Sequence, residues 1–111
     1  MEKDKMRIKV NCDNSSVLLD KITKKITNKE LETWEIKRND KNEILFSHIP
    51  EQWKEKAMPK PYIKKDSLDF VISWWSKNGE PEKRIQGYIL GRFIEILMVH
   101  FRNDFRNIEI D

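Results

Sequence analysis

An α+β domain of two layers is predicted for this chain, and three patterns carry the prediction. Short runs with strand-like alternation recur from Met6 onward. Residues 17–28 and 82–105 place their apolar side chains at helical spacing. Clusters of turn-forming residues, DNSS, NDKN and SKNGEP, separate these runs. The predicted order is β-α-β-β-β-β-α: a mostly antiparallel sheet of four to five strands packed by two helices. Residues 1–111 are read as one domain.

Each element has its own pattern. In MRIKVNC, Met6, Ile8, Val10 and Cys12 share one face and Arg7, Lys9 and Asn11 the other, which is a half-buried strand. DNSS supplies N-cap residues, with Ser15 and Ser16 read as capping. Leu18, Leu19, Ile22 and Ile26 then form one stripe of an amphipathic helix. TWEIKR and EILFSH flank the NDKN turn and make a hairpin. Pro50 suits the start of a short helical turn, with Ile49 packing on Trp53. Pro59 and Pro61 make MPKPYI an edge strand or an extended segment. From Leu68 to Trp75 alternation and β-branched and aromatic content favour a strand over a helix. NIEID is a last short strand or a tail.

The helix over 82–105 is apolar on most sides. Ile85, Ile89, Phe93, Ile96 and Leu97 form one face, and Leu90, Ile94, Met98, Phe101 and Phe105 continue it. Tyr88 and Val99 fall near the opposite flank. A polar strip holds Arg84, Gly91, Glu95 and Arg102. Gly87 and Gly91, spaced G-x-x-x-G, predict a close neighbour, with a tryptophan ring as the candidate. His100 is read as buried and satisfied by Asp104 one turn on.

Composition bounds the function. The chain is 38% hydrophobic and 37% charged, with five Phe, four Trp and two Tyr, too apolar and aromatic for a disordered segment. Its 22 basic and 19 acidic residues leave a net charge of +3, with the lysines mixed among acids rather than gathered in a stripe. The lone cysteine, Cys12, cannot form an internal disulfide and suits a reducing compartment. No signal-peptide run or membrane-length apolar stretch is read, so a cytoplasmic location is expected.

No motif names a reaction. There is no CxxC, HExxH or paired-histidine spacing, so no metal is predicted, and clustered glycines for a phosphate cradle are lacking. Cys12, ahead of a helix start, is read as an inward strand residue rather than a nucleophile. No cofactor and no catalytic residue are assigned. Two contact regions remain. Lys54, Lys56, Lys60, Lys64 and Lys65 cluster with Trp53 and Tyr62 interleaved, and stacking beside lysine is a nucleic-acid-binding chemistry. The acids Glu51, Glu55 and Asp66 dilute that cluster. Trp74 and Trp75 are adjacent, so on a strand one of them must line a groove, meet a partner or pack under the Trp53 loop.

HIPEQW with KAMPKPYI, and GRFIEILMVHF, together resemble segments of a set of small bacterial proteins without an assigned activity. The resemblance covers about the last two thirds of the chain. It implies a bacterial or phage origin and one compact domain, and transfers no site residue.

The leading expectation is a non-enzymatic domain acting through protein contacts, self-association foremost. The alternative is a module for nucleic acid or a small anionic ligand using the 54–65 region. Candidate contacts are Trp53, Tyr62, Trp75, Lys60 and Lys64, and a polar site on the last helix would comprise Arg92, Glu95 and His100. An enzyme ranks third, since it requires a cleft that spacing does not reveal.

Overall fold

The computed structural model describes residues 5–50 and 54–110. The α+β prediction is borne out, with six strands rather than four to five. Strands β1 (Arg7–Asn11), β4 (Met58–Ile63), β5 (Ser67–Ser73) and β6 (Asn107–Ile110) build an antiparallel sheet in the order β4-β5-β1-β6. Strands β2 (Trp34–Arg38) and β3 (Ile44–His48) form a separate antiparallel hairpin. The helices are α1 (Ser15–Thr27) and α2 (Lys83–His100). Without the hairpin, the succession is the β-α-β-β-α-β of a split β-α-β unit. The hairpin is thus an insertion between α1 and the next strand of the sheet. The predicted terminal strand exists, as β6 beside β1.

Alternation sets the two faces of the sheet. Ile8 and Val10 sit opposite Phe70 and Leu68, and all four are fully buried in one core with Leu18 and Ile22 of α1 and Ile89, Phe93 and Leu97 of α2. The same registers put Arg7, Lys9, Lys60, Tyr62 and Asp69 on the other face.

The two prolines explain why the hairpin is not part of the sheet. Lys64 donates its N–H to Ser67 O at 2.9 Å, so Tyr62, Lys60 and Met58 repeat that pairing toward β5. Pro59 and Pro61 therefore turn their nitrogens away from β5, toward β3, which lies alongside. Those nitrogens carry no hydrogen, so a β3–β4 ladder lacks its donors. The hairpin itself closes through Asn39, whose Oδ1 accepts from the N–H groups of Lys41 and Glu43, both at 2.9 Å. Asn42 takes the left-handed conformation that this turn needs.

Helix α1 starts three residues before its apolar stripe. Asn14 is the cap, accepting from Val17 N at 3.2 Å. The expectation that Ser15 and Ser16 cap is corrected: Ser15 is buried and donates to Lys64 O at 2.6 Å, and Ser16 donates to the capping Asn14 side chain. The C-terminus closes with Lys29 N–H on Ile26 O and Glu30 N–H on Lys25 O, the double bond of a Schellman turn. Lys29 occupies its left-handed position at φ 63°.

Helix α2 is shorter than its pattern predicts. It ends at His100, and a 3₁₀ turn over Arg102–Asp104 leads into β6. Phe101 and Phe105 mimic helical spacing but are buried from either end of that turn. Nor is the helix apolar-buried all round. Gln86, Ile89, Leu90, Phe93 and Leu97 are buried, while Tyr88, Met98 and Val99 are 42%, 49% and 68% exposed. The close neighbour expected at the glycines is absent among the described residues. A Cβ at Gly91 would meet nothing within 4 Å, and one at Gly87 would touch only the Met6 side chain at 4.0 Å.

Two stability predictions follow from these contacts. Phe93 packs on Phe70, Trp34 and Phe46 at ring-centre distances of 4.6, 5.3 and 5.4 Å. Phe93→Ala is expected to lower unfolding free energy by about 3–5 kcal/mol in urea titration. Lys29→Gly relieves a left-handed side chain and is expected to raise stability by about 1 kcal/mol, read as a higher urea midpoint at unchanged slope.

Candidate functional site

The structure brings two of the predicted contact residues together. Lys60 projects from β4, and Trp75 follows the end of β5, where Ser73 pairs with Met58. Between them and the 39–43 turn of the hairpin lies a cleft of about 430 Å³ whose walls include Lys5, Lys41, Lys60, Leu45, Trp74 and Trp75. A second cleft of about 390 Å³ lies on the other side of Trp75, bordered by Arg38, Asp40, Glu55 and Lys77. Trp75 lines both, together with Asn39, Asp40 and Ser76, and is the ridge the two clefts share.

This ridge is held by polar contacts. Trp75 Nε1 donates to Glu55 Oε1 at 2.6 Å, and Lys37 stands 3.5 Å from the same carboxylate. The tryptophan N–H, more than the lysine charge, keeps the Glu55 carboxyl below its ordinary range. Lys60 donates to Glu43 Oε1 at 2.8 Å. That bond lowers the Glu43 pKa and raises that of Lys60. Lys60 Nζ also lies 5.1 Å from the centre of the Tyr62 ring. Trp74 turns inward against the core, with Lys5 Nζ 5.5 Å over its ring. The strand expected to reach Trp75 is corrected: β5 ends at Ser73, so the adjacent tryptophans differ in environment without lying on opposite faces of a strand.

The remaining candidates scatter. Tyr62 is 39% exposed on the open face of β4. Lys64 is at the far end of that strand, about 20 Å from the Trp75 end, and pairs with Asp69 at 3.4 Å. Trp53 lies outside the described residues, and with it the Ile49–Trp53 contact. Arg92 and Glu95 form an exposed i,i+3 ion pair at 3.1 Å on the outer side of α2. His100 does not join them. It is exposed and borders a shallow depression with Lys21, Lys25 and Phe101. The expected His100–Asp104 pair is corrected as well: Asp104 accepts from Lys21 Nζ at 2.7 Å.

The buried histidine is His48. Its Nδ1 is 3.0 Å from Thr33 O, and its ring lies 4.7 Å from that of Trp34. Burial pushes its pKa below 6.5, and the nearby Arg92 charge adds to this, against the opposing pull of the Thr33 hydrogen bond. Cys12 is fully buried as the inward residue closing β1, and desolvation raises its pKa from 9.0, so the thiol stays protonated.

No metal-ligating group of three His, Cys, Asp or Glu side chains converges among the described residues. None of their helices is long and apolar enough to cross a membrane. No protein-family model, curated protein or solved structure matches the chain.

Sequence reasoning missed Lys5, Lys41 and Lys77 on the rim of the clefts, and the convergence of Arg38 with them. These come from three separate segments, at Lys5, Arg38 to Lys41 and Lys77, and no window of sequence shows them together.

The His48 environment makes a pH prediction. Its folded pKa is depressed, so the unfolded chain binds the proton more readily. The stabilising effect is present above pH 6.5 and is lost as the pH falls below it. Urea midpoints measured between pH 7.5 and 5 should therefore decline, and His48→Gln should flatten that decline whatever its effect on absolute stability. Glu43 and Glu55, whose pKa values lie below 4.5, add a separate loss only at more acid pH.

Proposed function

We propose that this protein is a non-enzymatic, self-associating interaction domain of bacterial type that pairs with a second copy through the outer face of α2. The observation that carries the reading is a self-complementary stripe. Tyr88, Arg92, Glu95 and Val99 recur at i, i+4, i+7 and i+11, on one line along the exposed side of the helix. Two such helices packed antiparallel about the Phe93–Ile94 step would set Tyr88 against the partner's Val99. The same two-fold sets Arg92 against the partner's Glu95, and each contact occurs twice. That reciprocity is what an isologous two-fold interface requires. Aromatic and arginine residues beside exposed aliphatics also match the composition of interface centres.

The supporting energetics are simple. Val99 at 68% exposure and Met98 at 49% present apolar area that a second copy would remove from water. Arg92 lies 6.0 Å over the Tyr88 ring, which pre-orients its guanidinium along the stripe. One fully buried cysteine suits a reducing cytoplasm, the location this reading adopts.

Sedimentation equilibrium over a concentration series is expected to show mass rising from one chain toward two. Arg92→Glu and Glu95→Arg, each alone, place like charges opposite one another and should weaken association by about tenfold or more, equivalent to about 1.4 kcal/mol. The double variant R92E/E95R should restore it. A single-chain mass at every concentration, or a double variant no better than the singles, overturns the proposal.

A further inference from the structure

A second surface, around the Trp75 ridge, is lined by no residue of α2. Its two clefts are bordered by five basic side chains, Lys5, Arg38, Lys41, Lys60 and Lys77, and by three acidic ones, Asp40, Glu43 and Glu55. The acids are unequal in effect. Glu43 is matched by Lys60 at 2.8 Å, and Glu55 by the Trp75 N–H and Lys37. Asp40 is left. On the basic side, Lys5, Arg38, Lys41 and Lys77 form no ion pair with a described carboxylate. Arg38 instead donates to the Asn42 carbonyl at 3.0 Å. Among the described residues, the rim therefore carries four positive charges that no ion pair neutralises, against one such negative charge.

Charge of that kind attracts any polyanion. The aromatic groups narrow the class. Trp75 is half-buried and lines both clefts, so a planar ligand can reach the open part of its indole, whose N–H is already committed to Glu55. Tyr62 is exposed and lies beyond Lys60 on the same strand face, which extends the aromatic and cationic alternation down β4. A polymer of planar bases joined by phosphates satisfies both features, because bases stack on an exposed ring while the phosphates meet the cations. Duplex DNA does not, since its bases are stacked inside. Two clefts of about 430 and 390 Å³ also match the scale of a nucleotide-sized group.

We infer that the Trp75 ridge and its basic rim bind single-stranded nucleic acid, without sequence preference. This is a function beyond self-association, and it uses none of the α2 stripe. Lys60 and Glu43 act as a built-in buttress: their ion pair holds the cleft wall, and the outer cations supply the attraction.

The test is fluorescence anisotropy of a labelled oligo(dT), together with quenching of tryptophan emission, on the full chain at low salt. Binding with quenching is expected. For four phosphate contacts the salt slope is about −3, so a fourfold rise in salt should weaken binding about 50-fold. K41E/K77E, on exposed turns, should weaken binding at least tenfold and flatten the salt slope. Trp75→Leu should lose about tenfold and strongly reduce the quenching, with Trp74 in the same cleft accounting for the remainder. K24E, on the exposed side of α1, should bind oligo(dT) like the wild type, which separates this site from a general loss of positive charge. No anisotropy change at low salt overturns the inference. Equal binding of duplex DNA and heparin, with Trp75→Leu unaffected, also overturns it and leaves a general polyanion surface.

Discussion

Everything in this molecule is arranged around the Phe93 ring. Helix α2, the sheet and the inserted hairpin meet at that one side chain, through Phe70 of β5, Phe46 of β3 and Trp34 of β2. Edge-on aromatic packing is directional, so it fixes orientation as well as burying area. With Phe93 seated, the helix rotation follows. Ile89 and Leu97, one turn either side, must face the core, and Tyr88, Arg92, Glu95 and Val99 must face out. The proposed dimer stripe is thus a consequence of a core contact. The buried His48 belongs to the same cluster through Trp34, which links stability in mildly acid solution to the hairpin seat.

The second organising constraint is a pair of missing hydrogens. Pro59 and Pro61 prevent β3 from hydrogen-bonding to β4, so the hairpin has to be held by side chains alone. That leaves freedom at its turn, and the 39–43 segment leans over the end of β5 to meet Trp75 and Lys60. The clefts on either side of Trp75 exist because two antiparallel units abut there without merging. A continuous six-stranded ladder would have closed that seam. The proposed nucleic-acid surface is therefore tied to the same two prolines that mark β4 as an edge.

Several features were legible from residue order. Alternation in MRIKVNC and from Leu68 onward, the Leu18-Ile22-Ile26 stripe and the NDKN turn each depend on neighbours a few positions away, and each matches an element of the structure, although the strand from Leu68 stops at Ser73 and not at Trp75. The misreadings share a cause. Phe101 and Phe105 keep helical spacing across a 3₁₀ turn, because burial constrains where a side chain ends up, not which backbone carries it there. Gly87 and Gly91 suggested a close neighbour, yet they lie where the helix faces outward. His100 and Asp104 are one turn apart in sequence, but Lys21 of α1 reaches Asp104 instead. Of the predicted contact residues, Trp75 and Lys60 converge, Lys64 belongs to another part of the surface, and Arg92 and Glu95 pair without His100.

By itself the sequence determined the fold class, the edge position of β4, the inward role of Cys12 and the amphipathic character of α1, since period and turn chemistry are local properties. Tertiary structure alone decided the strand order, the separation of the hairpin, the choice of His48 over His100 as the buried imidazole, and the gathering of Lys5, Arg38, Lys41 and Lys77 around one tryptophan. The physical reason is that these depend on which distant surfaces bury each other. A chain's own periodicity states that a face must be covered, and only the packed molecule states by what.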